Sequence, residues 1–443
     1  MLAGTLFGAV ASMLMPGSAM AFCGFYVAKA DTDLYNSASQ VVMVRDENRT
    51  VITMANDFKG DVADFAMVIP VPTFLERDQI NIATQGLIDH LDAYTAPRLV
   101  EYHDDNPCRT VVYSRATAEV MADSGVQFKS VAEENTGVTI EAKYTVGEYD
   151  ILLLSAEESG GLIRWLDQND YKLPDGAEEV VGSYIKQGMR FFVARVNLEV
   201  QENNGYSNLR PLQIAFESPK FMLPIRLGTL NADGQQELFV YALTRTGRVE
   251  TSNYRTVRMP SNLEIPGFIK SRFGDFYRDM FTLQTEKENG KAVFLEYAWD
   301  MAWCDPCAAD PLSAKQLRQL GVYWVDGDQG GQGSLRHQPA AQDVFVTRLH
   351  VRYDSDNFPD DLKFIETGDR SNFQGRYIMR HAWQGEMRCE AATDYLKMVN
   401  DRNVVAGNQL ANLTGWDRQQ IASSIGVNQL PVQEKWWRKI WKP

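Results

Sequence analysis

The sharpest chemical signal in this 443-residue sequence is Trp303-Cys304-Asp305-Pro306-Cys307. The two cysteines fall on a turn between an apolar strand-like run, Ala292 to Trp299, and a helix expected from Pro311. At C-x-x-C spacing they can close a small exchangeable disulfide, and a helix N-terminus favours the thiolate that exchange requires, with Cys304 attacking and Cys307 resolving. Asp305 opposes this by placing a negative charge beside the thiolate. Two structural readings compete: a rigid C-x-x-C clip, or a bridge from one of the pair to Cys389 that staples the C-terminal helices to the sheet. A metal site is disfavoured, because the motif offers two ligands and zinc takes four.

A second constellation is cationic. Alternation in Phe345 to Tyr353 (FVTRLHVRY) puts Arg348, His350 and Arg352 on one face and Phe345, Leu349, Val351 and Tyr353 on the other. Arg376 and Arg380 share a face of Arg376 to His381 in the same way. If the two strands pair, these residues form an anion site suited to carboxylate or phosphate. The competing reading is that they neutralise the nearby acids of Asp354 to Asp361 and Glu366.

Those acids, Asp354, Asp356, Asn357, Asp360 and Asp361, and separately Asp326 and Asp328, lack the Gly and Glu positions of an EF-hand. The motifs G-x-S-x-G and H-E-x-x-H are absent, and of five histidines only His103 has local carboxylates, Glu101, Asp104 and Asp105. That group reads as a solvated loop beside Cys108. At the C-terminus, Trp436, Trp437, Ile440 and Trp441 recur at helical spacing with Lys435, Arg438, Lys439 and Lys442 between them. Such a tail can rest on a membrane surface, dock on a protein partner, or pack its tryptophans on the protein itself. No cofactor and no metal site is expected.

The compartment is read from the first residues. Met1 to Ala21 carries no charge, and an apolar run is broken by Pro16-Gly17-Ser18 before Ala19-Met20-Ala21. This is an A-x-A signature, and the run is too short to span a bilayer. The mature chain is expected to begin at Phe22, in the periplasm or another extracytoplasmic space, with no transmembrane span. In that setting Cys23, Cys108, Cys304, Cys307 and Cys389 are disulfide candidates, and an odd count leaves one over. Cys23 with Cys108 is the preferred pair in the first half. The net charge of −14, from 58 acidic and 44 basic residues, argues against nucleic-acid binding.

These residues must be positioned by an α+β fold. Gln40 to Arg45 and Thr50 to Ala55 read as a hairpin, with further strands at Phe65 to Val71, Val138 to Tyr144, Asp150 to Leu154, Arg190 to Leu198, Leu212 to Glu217 and Gln236 to Ala242. Helices are expected at Gln85 to Tyr94, Leu162 to Asn169, Ala177 to Lys186 and Phe268 to Leu283, and at the end at Cys389 to Val399 and Gly407 to Ser424. The organisation is a signal peptide at 1–21, a β-rich domain with antiparallel or mixed sheets at 22–260, and an α+β domain at 266–425. The last comprises a sheet and terminal helices and is followed by the basic aromatic tail at 426–443.

Two resemblances can be drawn. Trp303 to Cys307 is similar to the thioredoxin active-site motif, although Pro339 is the nearest downstream proline and its context is a loop. Longer strings, among them Phe22 to Val27 (FCGFYV), Arg49 to Asp57 (RTVITMAND), Phe65 to Phe74 (FAMVIPVPTF), His90 to Val100, Trp303 to Leu312 and Asn372 to Trp383, resemble the bacterial domain of unknown function 2330 family. The likeness runs from Phe22 to about Trp416. It implies an exported or periplasmic protein and carries no catalytic residue with it. The expected role is therefore non-catalytic binding, scaffolding or accessory work in the envelope. The alternative is a thiol-disulfide oxidoreductase using Cys304 and Cys307.

Overall fold

β-Branched alternation on both sides of a polar turn makes the first hairpin. β1 (Phe25–Ala28) precedes it, and β2 (Tyr35–Asp46) and β3 (Arg49–Lys59) pair antiparallel around Glu47, which takes a left-handed φ of 52°. The computed structural model describes residues 25–28, 35–59, 65–108, 140–155, 159–169, 174–197, 209–231, 234–301, 309–325, 343–427 and 429–430. The strands continue with β4 (Phe65–Val71), β5 (Ile80–Ile82), β6 (Arg98–His103), β7 (Ile140–Val146), β8 (Tyr149–Leu154), β9 (Arg190–Val196) and β10 (Leu212–Glu217). They end with β11 (Met222–Leu223), β12 (Gln236–Thr244), β13 (Val249–Thr251), β14 (Arg255–Arg258), β15 (Leu263–Glu264), β16 (Ala292–Asp300), β17 (Phe345–Tyr353), β18 (Leu362–Glu366), β19 (Phe373–Gln374) and β20 (Arg376–His381). The helices are α1 (Gln85–Thr95), α2 (Ser159–Gln168), α3 (Ala177–Lys186), α4 (Phe273–Lys287), α5 (Ala314–Gln319), α6 (Ala391–Thr414) and α7 (Arg418–Ile425).

The architecture is α+β. Nine strands form the central mixed sheet in the order β14-β16-β17-β12-β2-β3-β10-β5, with β19 also on β16, so strands from both sides of 260–266 interleave in it. A five-stranded sheet, β1-β4-β9-β8-β7, packs face to face against it. Between the two sheets lie Val41, Met43, Ile52, Met67, Ile151 and Phe192, all at most 5% exposed. Burial of each such side chain stabilises by roughly 1.5–3 kcal/mol. The outer face of the smaller sheet is covered by α2 and α3 through Leu162, Leu166, Val181 and Tyr184. The outer face of the central sheet is covered by α1 and α5 at one end and by α4, α6 and α7 at the other. A three-stranded parallel sheet, β15-β20-β6, lies beside this second helical group.

The C-terminal helices differ from expectation. One helix runs through Ala391–Thr414 and stops at Gly415, whose φ of 74° is the left-handed geometry that ends helices. Gly407, expected to begin a second helix, instead sits inside the first; a Cβ there would come within 2.9 Å of Leu430.

Candidate functional site

Alternation along β17 does place Arg348, His350 and Arg352 on one face, the helix-covered one, while Phe345, Leu349, Val351 and Tyr353 enter the inter-sheet core. Opposite them on β12 stand Tyr241, Phe239 and Glu237, in register with Arg348, His350 and Arg352 respectively. On the other side, β16 carries a register shift between Leu295 and Tyr297. The extra residue turns Glu296 and Tyr297 toward the same helical layer, so a fully buried carboxylate arrives between the arginine and the histidine.

Glu296 takes Arg348 Nε at 2.6 Å and His350 Nδ1 at 2.7 Å, and the Tyr277 hydroxyl of α4 donates to it as well. Arg348 Nη1 reaches the Asp92 carboxylate of α1 at 2.6 Å, and Asp92 also accepts from Tyr241 at 2.6 Å. The His350 ring is sandwiched between Phe281 and Phe239, with centroids 3.7 and 4.2 Å away. Its Nε2 is buried without a hydrogen bond, 3.6 Å from Glu237. Glu237 in turn accepts from Arg352, whose Nη1 donates to Thr282 of α4 at 3.0 Å.

Burial alone would raise the Glu296 and Glu237 carboxyls. The charge of His350, with Arg348 on one and Arg352 on the other, and the hydrogen bonds each carboxylate accepts overcome it and hold both at about 2. Burial pushes His350 down, but the two carboxylates win and raise it above the usual imidazole value. The network is therefore a chain of charge-assisted hydrogen bonds in a dry setting, where such bonds are strong. Above it opens a cleft of about 310 Å³, lined by Phe239, Phe273, Tyr277 and Phe281 and by the charged side chains Glu237, Arg348 and Arg352 with His350. Arg348 is 6% exposed and spends Nε and Nη1 on Glu296, Asp92 and Thr95, while its Nη2 makes no hydrogen bond among the described residues.

The other sequence candidates fall elsewhere. β20 does not pair with β17; Arg376 donates to Asn262 at 2.8 Å and Arg380 to Glu264 at 2.6 Å in the small parallel sheet. The acids that meet these cations are Asp92, Glu237, Glu296 and Glu264, not those of the 354–361 segment. Asp354 caps its own turn, accepting from Asn357 N at 2.7 Å, and Asp361 is buried against Tyr184 and the Ile225 amide. His103 is solvent-exposed as expected, but it ends β6 rather than lying in a loop, and it stacks on His381.

Cys108 is bridged to Cys389, 281 positions away, and not to Cys23. The cause is the register of β6 and β20, which sets His103 opposite His381 and leaves the two following loops adjacent, with the cysteine Cα atoms 5.7 Å apart. This also removes Cys389 as a partner for Cys304 or Cys307. Cys23, Cys304, Cys307, Asp326, Asp328, Pro339 and the tail with Trp436, Trp437, Arg438, Lys439 and Trp441 lie outside the described residues. Among the described residues no helix is long and apolar enough to cross a membrane. Sequence reasoning missed Glu296, Glu237, Asp92 and Tyr277; for Glu296 the local signal was a charged residue inside the apolar run AVFLEYAW.

The fold and site define an α+β protein of two packed sheets with a cleft lined by aromatic and charged side chains. The chain belongs to the family described as "Uncharacterized protein conserved in bacteria (DUF2330)", which matches residues 17–365. No curated protein and no solved structure matches it.

Proposed function

We propose that this chain is a non-catalytic binding protein of the bacterial envelope whose central cleft receives a small organic anion bearing a planar apolar part. The observation that carries the reading is Arg348: it is locked on two carboxylates, yet one Nη makes no hydrogen bond among the described residues, beside four aromatic side chains. Convergent polar groups in an apolar concavity are the usual form of a small-molecule site. An extracytoplasmic location is supported by the uncharged apolar segment ending Ala19-Met20-Ala21, and by a disulfide of the kind that persists in oxidising compartments.

The test uses 8-anilinonaphthalene-1-sulfonate, an aromatic anion, as fluorescent probe, with benzoate as competitor. Arg348→Lys keeps the charge that Glu296 needs and loses the planar fork; Phe273→Ala removes a wall. Each is expected to weaken binding at least tenfold while the fold persists. Wild-type affinity in both variants would sink the reading.

A second reading, thiol-disulfide exchange by Cys304 and Cys307, is favoured by one observation: Cys389 is already taken, so the long-range staple has lost its partner. Alkylation in glutathione buffers decides it. A pair titrating between roughly −270 and −120 mV supports exchange, and a pair that resists reduction ends it. The tail, as a contact for a membrane surface or protein partner, is tested by deleting Trp436 to Pro443; unchanged binding to anionic vesicles would remove that role.

A further inference from the structure

A second concavity lies away from the central cleft, where β6 and β20 end side by side. Their register sets Tyr102 opposite Arg380 and His103 opposite His381. The two imidazoles stack, with centroids 4.5 Å apart and planes 19° from parallel. Arg402 of α6 reaches over from the helical layer. With Gln384 and Asn403, the side chains of His103, Arg380, His381 and Arg402 line a cleft of about 460 Å³.

The acids of this region stand behind the cations rather than in the cleft. Asp104 grips Arg402 by both Nη atoms at 3.0 and 2.8 Å and also accepts from Tyr395 at 2.8 Å. Glu264 on β15 accepts from Arg380 Nε at 2.6 Å. Glu101 on β6 takes His381 Nε2 at 2.7 Å and, with its other oxygen, Lys270 Nζ at 2.7 Å. Each pairing fixes a cation with its remaining N–H groups turned elsewhere. Both Nη groups of Arg380, both nitrogens of His103 and Nδ1 of His381 carry no hydrogen bond among the described residues. The lining residues among them include no carboxylate.

The charges decide what such a cleft can take. Arg380, Arg402 and Lys270 are balanced by Glu101, Asp104 and Glu264, three against three. His103 and His381 add imidazole nitrogens to the same wall, where they can meet an anion beside Arg380. The fork of Arg380 adds planar donors that match phosphoryl oxygens. The Cys108–Cys389 bridge ties together the two loops that frame the site.

We propose that this cleft binds a tetrahedral oxyanion, a phosphoryl group in the first instance, held by the Nη groups of Arg380 with the His103 and His381 rings beside them. The oxyanion can belong to a soluble phosphate ester or to a lipid headgroup, which share this chemistry. The site does not depend on the central cleft or on its ligand.

Isothermal titration of the full-length protein in low salt tests this, with inorganic phosphate and with sulfate. Both are expected to bind at one site per chain, and Arg380→Gln is expected to weaken both at least tenfold. Co-sedimentation with phosphatidylglycerol vesicles against phosphatidylcholine vesicles separates the sources, vesicle binding without free-anion binding assigning the site to lipid headgroups. Absence of binding to phosphate, sulfate and anionic vesicles, or equal binding by wild type and Arg380→Gln, overturns the site.

Discussion

Glu296 accepts from His350 Nδ1 at 2.7 Å across two neighbouring strands, and neither side chain is more than 4% exposed. Removing one partner from such a pair leaves a buried charge uncompensated, which costs far more than the pair contributes. Glu296→Gln strands both Arg348 and His350 and should destabilise by about 3–5 kcal/mol. Urea denaturation measures it, and a loss under 1 kcal/mol would show that the network has rearranged.

The same pair gives stability a two-sided dependence on pH. The Glu296 and Glu237 carboxyls lie at about 2, so their contribution is complete above the unfolded value near ~4.3 and lost as pH falls toward 2. His350 is raised, so its contribution is present below ~6.5 and lost as pH climbs through the higher folded value. Denaturation midpoints from pH 2 to 9 should fall on both limbs in the wild type and be flatter on both in Glu296→Gln. Parallel curves would contradict the assignment.

Opening the Cys108–Cys389 bridge releases a loop of 281 positions in the unfolded chain. Cys108→Ser, Cys389→Ser and the double variant should each lose about 2–5 kcal/mol, and by the same amount. Unequal losses would show that one freed thiol has found another partner, which peptide mapping after alkylation would identify.

Gly321 takes φ of +100°, and a Cβ there would lie 2.6 Å from Val51 Cγ1. Gly321→Ala combines a disfavoured backbone with a clash against a core-packed side chain, and should cost about 2 kcal/mol or more. A thermal midpoint within a degree of wild type would refute the close approach.

Much of this was legible in local pattern. The β17 alternation in FVTRLHVRY put its three cations on one face, and β4, β10 and α3 follow the boundaries their residues suggest. Periodicity acts over a few residues, and those segments are decided there. Other features were decided at long range. Asp92 reaches Arg348 across 256 positions, and the bulge that aims Glu296 leaves no mark in AVFLEYAW. Two helices were expected at Cys389 to Val399 and Gly407 to Ser424, yet one helix runs through Ala391–Thr414, and its Arg402 is satisfied by Asp104, 298 positions away. Cysteine pairing was hidden for the same reason, since it depends on how β6 meets β20.

The long span of the bridge also constrains how the molecule is made. Cys108 emerges during synthesis or export with Cys23 already present, and Cys304 and Cys307 follow before Cys389 arrives. In an oxidising compartment, every thiol first offered to Cys108 is the wrong one. Correct closure waits for nearly the whole chain, so refolding of the reduced protein is expected to go faster with a disulfide isomerase than with oxidised glutathione alone.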